Sequence, residues 1–554
     1  MDRRYTLLLV LLAMALGAIL LEPRLALPIS FDAKASYLPM ARELLAKGWA
    51  YMGEEASVSY APLAFGWPAL LGAHEYVVRY ANIALYCAAI GAAYLTLERT
   101  HGSFAAIGAA FLVAICPTVR PYIGDVMTEA PFIVLVAVWA LAVARVAGGG
   151  HRAWIVAGGL ALGLAVLVRP AAMYFAPLAL AAFAWKREWR LASLHGIATL
   201  VVAAWVLRNA VVFGFPAVAA GAGGALYFGV NPLVDGFDPP YYGMNFDSGL
   251  AQDSSSHLSI HGDRTLRAIG TLELLDTPLS IVIPMFAHKA LSFLFVSRHD
   301  IWDGGSIPWL RAWRIAMVAL ACIAFAANRR DRLVVTLAAF VAYMVAVHVP
   351  LLYTHRYSVG AIDYPLAVLA AVGIGVTVRS TGRIAAVLVA LCVAVAAGVA
   401  GATPAVGSPM PDRIPTEIAW LASIDRVAVV GAHEPIDIPI AKDPATPPWD
   451  LSMVQLDIEV EPVPRSRCTT MLMRFRRAAE PGFAPWRVVR VPLEAGPGPH
   501  RYTVGSTVPL ALDGAGTLRL ELECTAVATA RVGALAIVLP RRERHYTERY
   551  KARR

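Results

Sequence analysis

The chain has 554 residues, 58% of them hydrophobic and only 16% charged, with a formal net charge of +9. A soluble domain averages about 25% charged residues, so the composition excludes a soluble protein and reads as a membrane protein. The basic residues are spread over short loops between apolar segments and are not gathered on one helix or arm, which excludes a nucleic-acid footprint and makes the charge a topology signal.

Met1-Asp2-Arg3-Arg4 precedes an apolar run that resembles a signal peptide. Leu21-Glu22-Pro23-Arg24 lacks the small-residue cleavage site, so the run reads as an uncleaved first helix. Apolar segments recur at 5–21, 76–97, 103–117, 126–147, 153–168, 171–185, 191–213, 307–327, 333–350, 360–378 and 383–400. They predict a polytopic α-helical membrane protein of about eleven transmembrane helices. Arg3-Arg4, Arg99, Arg145 with Arg152, Lys186-Arg187 with Arg190, Arg329-Arg330 with Arg332, and Arg379 with Arg383 fall on one side, which the positive-inside rule makes cytoplasmic. The other side receives residues 22–75, the turn from Arg120 to Glu129, the corner at Arg169-Pro170, a long loop over 214–306 and the turn from Tyr353 to Tyr357. Residues 281–296 of that loop are apolar, but His288-Lys289 favour a helix lying on the membrane surface over a crossing.

The composition changes after Ala402-Thr403-Pro404. Period-two runs, such as Val454 to Val460, Arg487 to Val491 and Thr517 to Leu522, predict half-buried strands. The division expected is a membrane domain over 1–402 and an extracytoplasmic all-β domain, a sandwich or jelly roll, over 405–554. The tail from Arg541 reads as solvated, with an affinity for anionic lipid. Cys87, Cys116, Cys322 and Cys392 lie in apolar segments. Cys468 and Cys524 lie outside the spans, in a compartment where a disulfide is permitted, and are expected to pair. No CxxC or His-rich spacing suggests zinc.

Residues able to do chemistry collect on the outer side. Asp32 opens a stretch, Phe31 to Gly48, in which Leu38, Ala41 and Leu45 share a helical face. It reads either as a helix N-cap or as a functional carboxylate where the chain leaves the bilayer. Asp125 and Glu129 stand at i and i+4 before a span, and on a helix would share a face. Asp125 reads equally as a cap. Glu129, about one turn into the span, needs a partner. Arg169, Arg208-Asn209 and Lys289 flank outer segments and suit either phosphate or lipid headgroups. His355-Arg356-Tyr357 lies between two spans.

In their order these pieces resemble the GT-C-fold glycosyltransferases that take sugars from polyprenyl-phosphate carriers, such as protein mannosyltransferases and the aminoarabinose transferases of lipid A. The resemblance covers about residues 1–400. It rests on Asp32 with Tyr37, Ser59-Tyr60-Ala61-Pro62-Leu63, Thr128-Glu129, Gly159 to Leu164 followed by Arg169-Pro170, Trp205 to Asn209, Gly223 to Pro232, and His355-Arg356-Tyr357 before Pro365. Where the family often has a second acid beside the first-loop Asp, this chain has Ala33, which moves weight onto Asp125 and Glu129.

The resemblance implies an inverting transfer to an acceptor hydroxyl of a glycan, glycolipid or protein. Asp32 would be the base and Glu129, with Asp125, would orient the acceptor or a cation. Arg208, Lys289 and Arg356 would hold the phosphate, with Arg169, Asn209, His355 and Tyr357 beside them. It leaves the use of a divalent metal ion open and implies a bacterial inner membrane; an odd number of spans with the N-terminus inside puts the β domain outside. Two readings of other classes stand beside it, a lipid-linked-glycan flippase with charges near mid-span and a non-enzymatic glycan-binding assembly protein.

Overall fold

The computed structural model describes residues 3–27, 29–30, 32–230, 258–295 and 307–379. It also describes 416–430, 435–441, 452–462, 468–477, 481–483, 488–492, 500–508, 515–524 and 528–540. The expected span at 383–400, the tail from Arg541, and residues 231–257 and 296–306 of the long loop lie outside these.

The helices in chain order are α1 (Arg3–Leu21), α2 (Leu38–Lys47), α3 (Pro62–Leu70), α4 (Glu75–Ala114), α5 (Arg120–Ile123), α6 (Glu129–Ala147), α7 (Ala153–Val168), α8 (Phe175–Trp185), α9 (Trp189–Phe213), α10 (Ala222–Val230), α11 (Ile260–Asp276), α12 (Leu279–Phe295), α13 (Ile307–Ala327), α14 (Arg332–His348) and α15 (His355–Arg379). Among the described residues five helices are long and apolar enough to cross a membrane: Glu75–Ala114, Glu129–Ala147, Trp189–Phe213, Leu310–Ala327 and Gly360–Arg379. The expected spans at 76–97 and 103–117 form one element, broken at Gly102, whose φ of 85° no helix contains. Leu7–Leu21, Ala153–Val168, Pro170–Trp185, Val282–Phe295 and Arg332–His348 are apolar but shorter. The count of about eleven therefore does not follow from helix length alone.

The chain divides into two compact units. The first holds Met1–Ala219, Ala290–His348 and Thr354–Val406. The second holds Ala220–Lys289, Val349–Tyr353 and Gly407–Arg554. In the first, α15 packs against α4, α6, α13 and α14, and α7 packs between α6 and α9. Small residues set these distances. A side chain at Gly159 would overlap Leu194 O and Ile197, and one at Gly163 would overlap Val201. Gly373 likewise lets α15 lie on the Leu320 carbonyl of α13.

The short basic loops share one end of this bundle. Arg145 donates to Leu95 O (3.1 Å), Arg190 to Gly150 O, and Arg379 to His101 O (2.7 Å). Arg332 pairs with Glu188 at 3.3 Å and His101 with Asp331 at 3.6 Å. α6, α7 and α15 each run from that end to the other, where Glu129, Arg169 and Arg356 lie.

In the second unit α10 packs on α11, with Gly223 N bonded to Asp263 Oδ1 at 2.7 Å. The strands are β1 (Thr416–Val430), β2 (Ile436–Ala441), β3 (Ser452–Pro462), β4 (Cys468–Arg477), β5 (Val488–Pro492), β6 (His500–Val508), β7 (Ala515–Cys524) and β8 (Ala528–Pro540). They form two four-stranded antiparallel sheets, ordered β1-β8-β3-β6 and β2-β7-β4-β5. The alternation is visible in β7, where Leu518, Leu520 and Leu522 are buried and Arg519 and Glu521 between them are part-exposed. Cys468 and Cys524 are opposite one another on β4 and β7 and form a disulfide, with Cα atoms 4.0 Å apart.

Candidate active site

The site begins with a proline. A residue before Pro avoids the α region, so α7 stops and Arg169, before Pro170, is extended (φ −138°, ψ 107°). Its guanidinium turns to Glu129, Nη1 to Oε1 3.5 Å, and Nη2 reaches Arg356 O at 3.5 Å. Glu129 is the first residue of α6. Pro131 follows within the first turn, where its missing N–H costs nothing, and the helix dipole favours a carboxylate there. Glu129 is fully buried, so it requires charge partners.

Arg356 supplies them. It is the second residue of α15, at a helix end whose dipole disfavours a cation. Its Nε donates to Glu129 Oε1 (2.9 Å) and its Nη2 to Tyr37 OH (3.0 Å), and Nη1 is ion-paired with Asp32 Oδ2. Burial alone would lower the Arg356 pKa. Tyr37, Glu129 and Asp32 outweigh that and hold it well above the usual value, so the guanidinium stays charged. Burial foremost, with the charges of Asp32 and Glu129, raises the Tyr37 phenol above its ordinary 10.0 despite Arg356. Tyr37 stays a neutral hydroxyl. Its ring meets Tyr60 edge-on at 5.2 Å, and Tyr60 OH is 3.0 Å from Ser36 Oγ.

The structure replaces the capping reading of Asp32. Asp32 is itself helical (φ −59°, ψ −38°) and makes no side-chain cap bond. Ser30 takes that part, its Oγ accepting from Ala33 N at 3.4 Å. The turn that follows, Ala33–Tyr37, is a π-helix. Its wider winding stacks residues five apart, which brings Asp32 and Tyr37 to the same guanidinium. Pro39 falls in the first turn of α2, directly after the π-helix.

The remaining candidates make other contacts. Residues 124–128 are not helical, so Asp125 does not share a helical face with Glu129. Its carboxylate accepts Ser30 N (3.0 Å) and Val126 N (2.7 Å) and ties two loops together. Arg79 and Asn82, not foreseen, brace the same turn by donating to Gly124 O (2.8 Å) and Asp125 O (2.7 Å). Arg208 donates to Asn209 Oδ1 (2.6 Å) and lies over the rings of Trp205 and Phe213. Asn209 bonds Ala217 O at 2.7 Å and closes the end of α9. Lys289, in the second unit, donates to Gly229 O (2.5 Å) and Leu351 O (2.9 Å). The Tyr357 ring meets that of His348 at a tilt of 41°, centroids 6.0 Å apart, and His355 is the first residue of α15. Among the described residues no group of three or more His, Cys, Asp and Glu side chains gathers as a metal-ligand set.

Asp32, Glu129, Tyr37, Arg169 and Arg356 thus meet at one end of the helical unit. The carboxylate of Asp32 is 28% exposed and that of Glu129 not at all. The arrangement offers a solvent-reachable base beside a cation with the forked geometry that suits a phosphate.

Residues 63–212 match the model of the dolichyl-phosphate-mannose-protein mannosyltransferase family. The matched range includes Glu129, Arg169 and Arg208 and leaves out Asp32 and Arg356. No curated protein sequence matches the chain. Among solved structures it is similar to the oligosaccharyltransferase of Archaeoglobus fulgidus in its apo form, at 15% identity and a TM-score of 0.40 over 73% of this chain and 55% of that one. The chain therefore spans little more than half the length of that enzyme. It is also similar to ArnT from Cupriavidus metallidurans bound to undecaprenyl phosphate, at 15% identity and a TM-score of 0.29 over 68% of this chain and 79% of that one.

Proposed function

We propose that the protein moves a sugar from a polyprenyl-phosphate carrier to an acceptor hydroxyl at the extracytoplasmic face of a bacterial inner membrane, in modification of an envelope glycan or glycolipid. The observation that carries this reading is the Arg356 guanidinium, held between Asp32 and Glu129 at one end of the bundle. Asp32 takes the proton of the acceptor hydroxyl. The hydroxyl oxygen forms a bond to the anomeric carbon as the bond from that carbon to the phosphate oxygen breaks. Arg356 offsets the charge that grows on the departing phosphate. One displacement inverts the anomeric centre.

The basic loops at the opposite end support the orientation, because short Lys- and Arg-rich loops stay on the cytoplasmic side. The two sheets, ordered β1-β8-β3-β6 and β2-β7-β4-β5, support reading the C-terminal strands as a jelly roll, an architecture that lectin domains use, and as an extracytoplasmic glycan-binding module.

One observation favours a carrier that flips its lipid instead. Arg314 and Asp363 form a buried pair within the spans, Nε to Oδ1 2.7 Å, and a flippase needs charge at that depth. Arg314 also donates from Nη2 to Asp363 Oδ2 (2.9 Å) and from Nη1 to Phe293 O (3.2 Å), a fully engaged guanidinium that suits packing better than transport. Purified protein in vesicles, given a polyprenyl-phosphate sugar and a mixture of envelope acceptors, should form glycoside of inverted configuration. Movement of the lipid donor across the bilayer with no glycoside formed would overturn the reading.

A further inference from the structure

The two arginines of the site do not have equal freedom. Arg356 serves Asp32, Glu129 and Tyr37 at once, whereas the side-chain ion pair of Arg169 is to Glu129. The two carboxylates differ as well. Asp32 is part-exposed and can exchange its ionic partner for water, but Glu129 is sealed and cannot. A phosphate arriving at Arg356 would therefore take it from Asp32. It could take it from Glu129 only if another cation stayed behind.

Arg169 is placed for that task and holds capacity in reserve. Its Nη1 is buried with no hydrogen-bond partner, and so is Glu129 Oε2. The two groups stand 3.5 Å apart at their nearest, looser than a charge-assisted hydrogen bond. They can close on one another when Arg356 turns away. Gly360 makes room for this, since a side chain there would overlap Arg169 Nη1 and press on Glu129 Cγ at 3.2 Å.

We infer that Arg169 is a positioning residue and not a ligand of the phosphate: it keeps the buried charge of Glu129 neutralised so that Arg356 is free to leave Asp32 for the donor phosphate. This rests on the donor proposed above. In the resting site Asp32 is occupied by Arg356, and arrival of the phosphate releases it as the base.

The test is binding of a fluorescent polyprenyl monophosphate, without sugar, to the full-length protein in detergent. Wild type should bind. Arg169→Gln makes Arg356 the last cation beside Glu129 and should weaken binding by about tenfold or more. Arg169→Lys should retain most of the affinity. The double variant Arg169→Gln/Glu129→Gln has no buried carboxylate to strand and should recover affinity to near wild type. A residue that touched the phosphate itself would leave the double variant as weak as Arg169→Gln, and that result overturns the inference while the donor reading stands. Unchanged binding by Arg169→Gln overturns it too. No binding by wild type removes the donor reading, and the inference with it. Should Arg169→Gln fail to fold, Gly360→Ala displaces the guanidinium without removing its charge. It should weaken binding in the same direction, and unchanged affinity there would also overturn the inference.

Discussion

Asp32 and Glu129 touch the same guanidinium but should respond to substitution in opposite ways. Asp32→Ala removes a carboxylate that is 28% exposed and pairs with Arg356. Arg356 keeps Glu129 and Tyr37, so no buried charge is stranded. A part-exposed pair of this kind contributes roughly 0–1 kcal/mol. No cap is lost, because Ala33 N bonds to Ser30 Oγ. Asp32→Ala and Asp32→Asn should therefore both melt close to wild type. If Asp32 is the base, both should lose transfer by about 10²–10⁴. Glu129→Ala removes a fully buried partner of Arg356 and Arg169 and should cost roughly 3–5 kcal/mol of stability. The assay pairs thermal melting in detergent with transfer from a polyprenyl-phosphate sugar. Near-normal turnover by well-folded Asp32→Asn would refute Asp32 as base and move that part to another acid of the outer face. Marked destabilisation by Asp32→Ala with turnover intact would refute the placement of Asp32 drawn here.

Three further outcomes follow from the packing. Arg314→Met should destabilise the helical unit by roughly 3–5 kcal/mol, because Asp363 is left buried without its cation, and Arg314→Met/Asp363→Leu should recover most of it in a denaturant titration. Gly373→Ala places a methyl on the Leu320 carbonyl and should cost about 1–3 kcal/mol by pushing α13 from α15, read in the same titration. Reduction of Cys468–Cys524, which closes a loop with a sequence separation of 56, should cost the sheets roughly 4 kcal/mol in the chain-entropy model. Limited proteolysis of the full chain should then cut within 407–554 sooner under reductant, and equal rates would count against it.

Local signals were legible where the chemistry is local. Pro170 ended α7 at Arg169, and the alternation through Thr517 to Leu522 is a strand with its leucines buried. The capping residue was not, because Ser30 and Asp32 are both good caps and only the backbone angles show which one precedes the helix. Tyr37 was visible beside Asp32 but its share in the site was hidden. A spacing of five does not align on an α-helix, and nothing in the residue types announces a π-turn. Asp125 and Glu129 looked like helical neighbours at i and i+4, yet Glu129 opens the helix and Asp125 lies in the turn before it. Strand order was equally hidden, since β1 pairs with β8 and β3 with β6 and β8, all distant in sequence.

The basic residues show most clearly what residue type alone leaves open. Arg169, Arg208, Lys289 and Arg356 each flank an outer segment, and nothing in composition separates them. What separates them is the acceptor each one found. Lys289 holds two backbone carbonyls, and Arg208 holds an amide and two aromatic faces. Arg356 alone of the four meets two carboxylates, one of them 324 positions away in the chain. A cation already satisfied by neutral groups gains little by turning to a phosphate. A cation shared between a part-exposed carboxylate and a sealed one can release the first at small cost, provided the second keeps a partner. Arg169 is that partner. On the reading proposed above, what marks Arg356 out for the phosphate is the burial of the acids around it, which becomes visible only when α6, α7 and α15 bring their ends together.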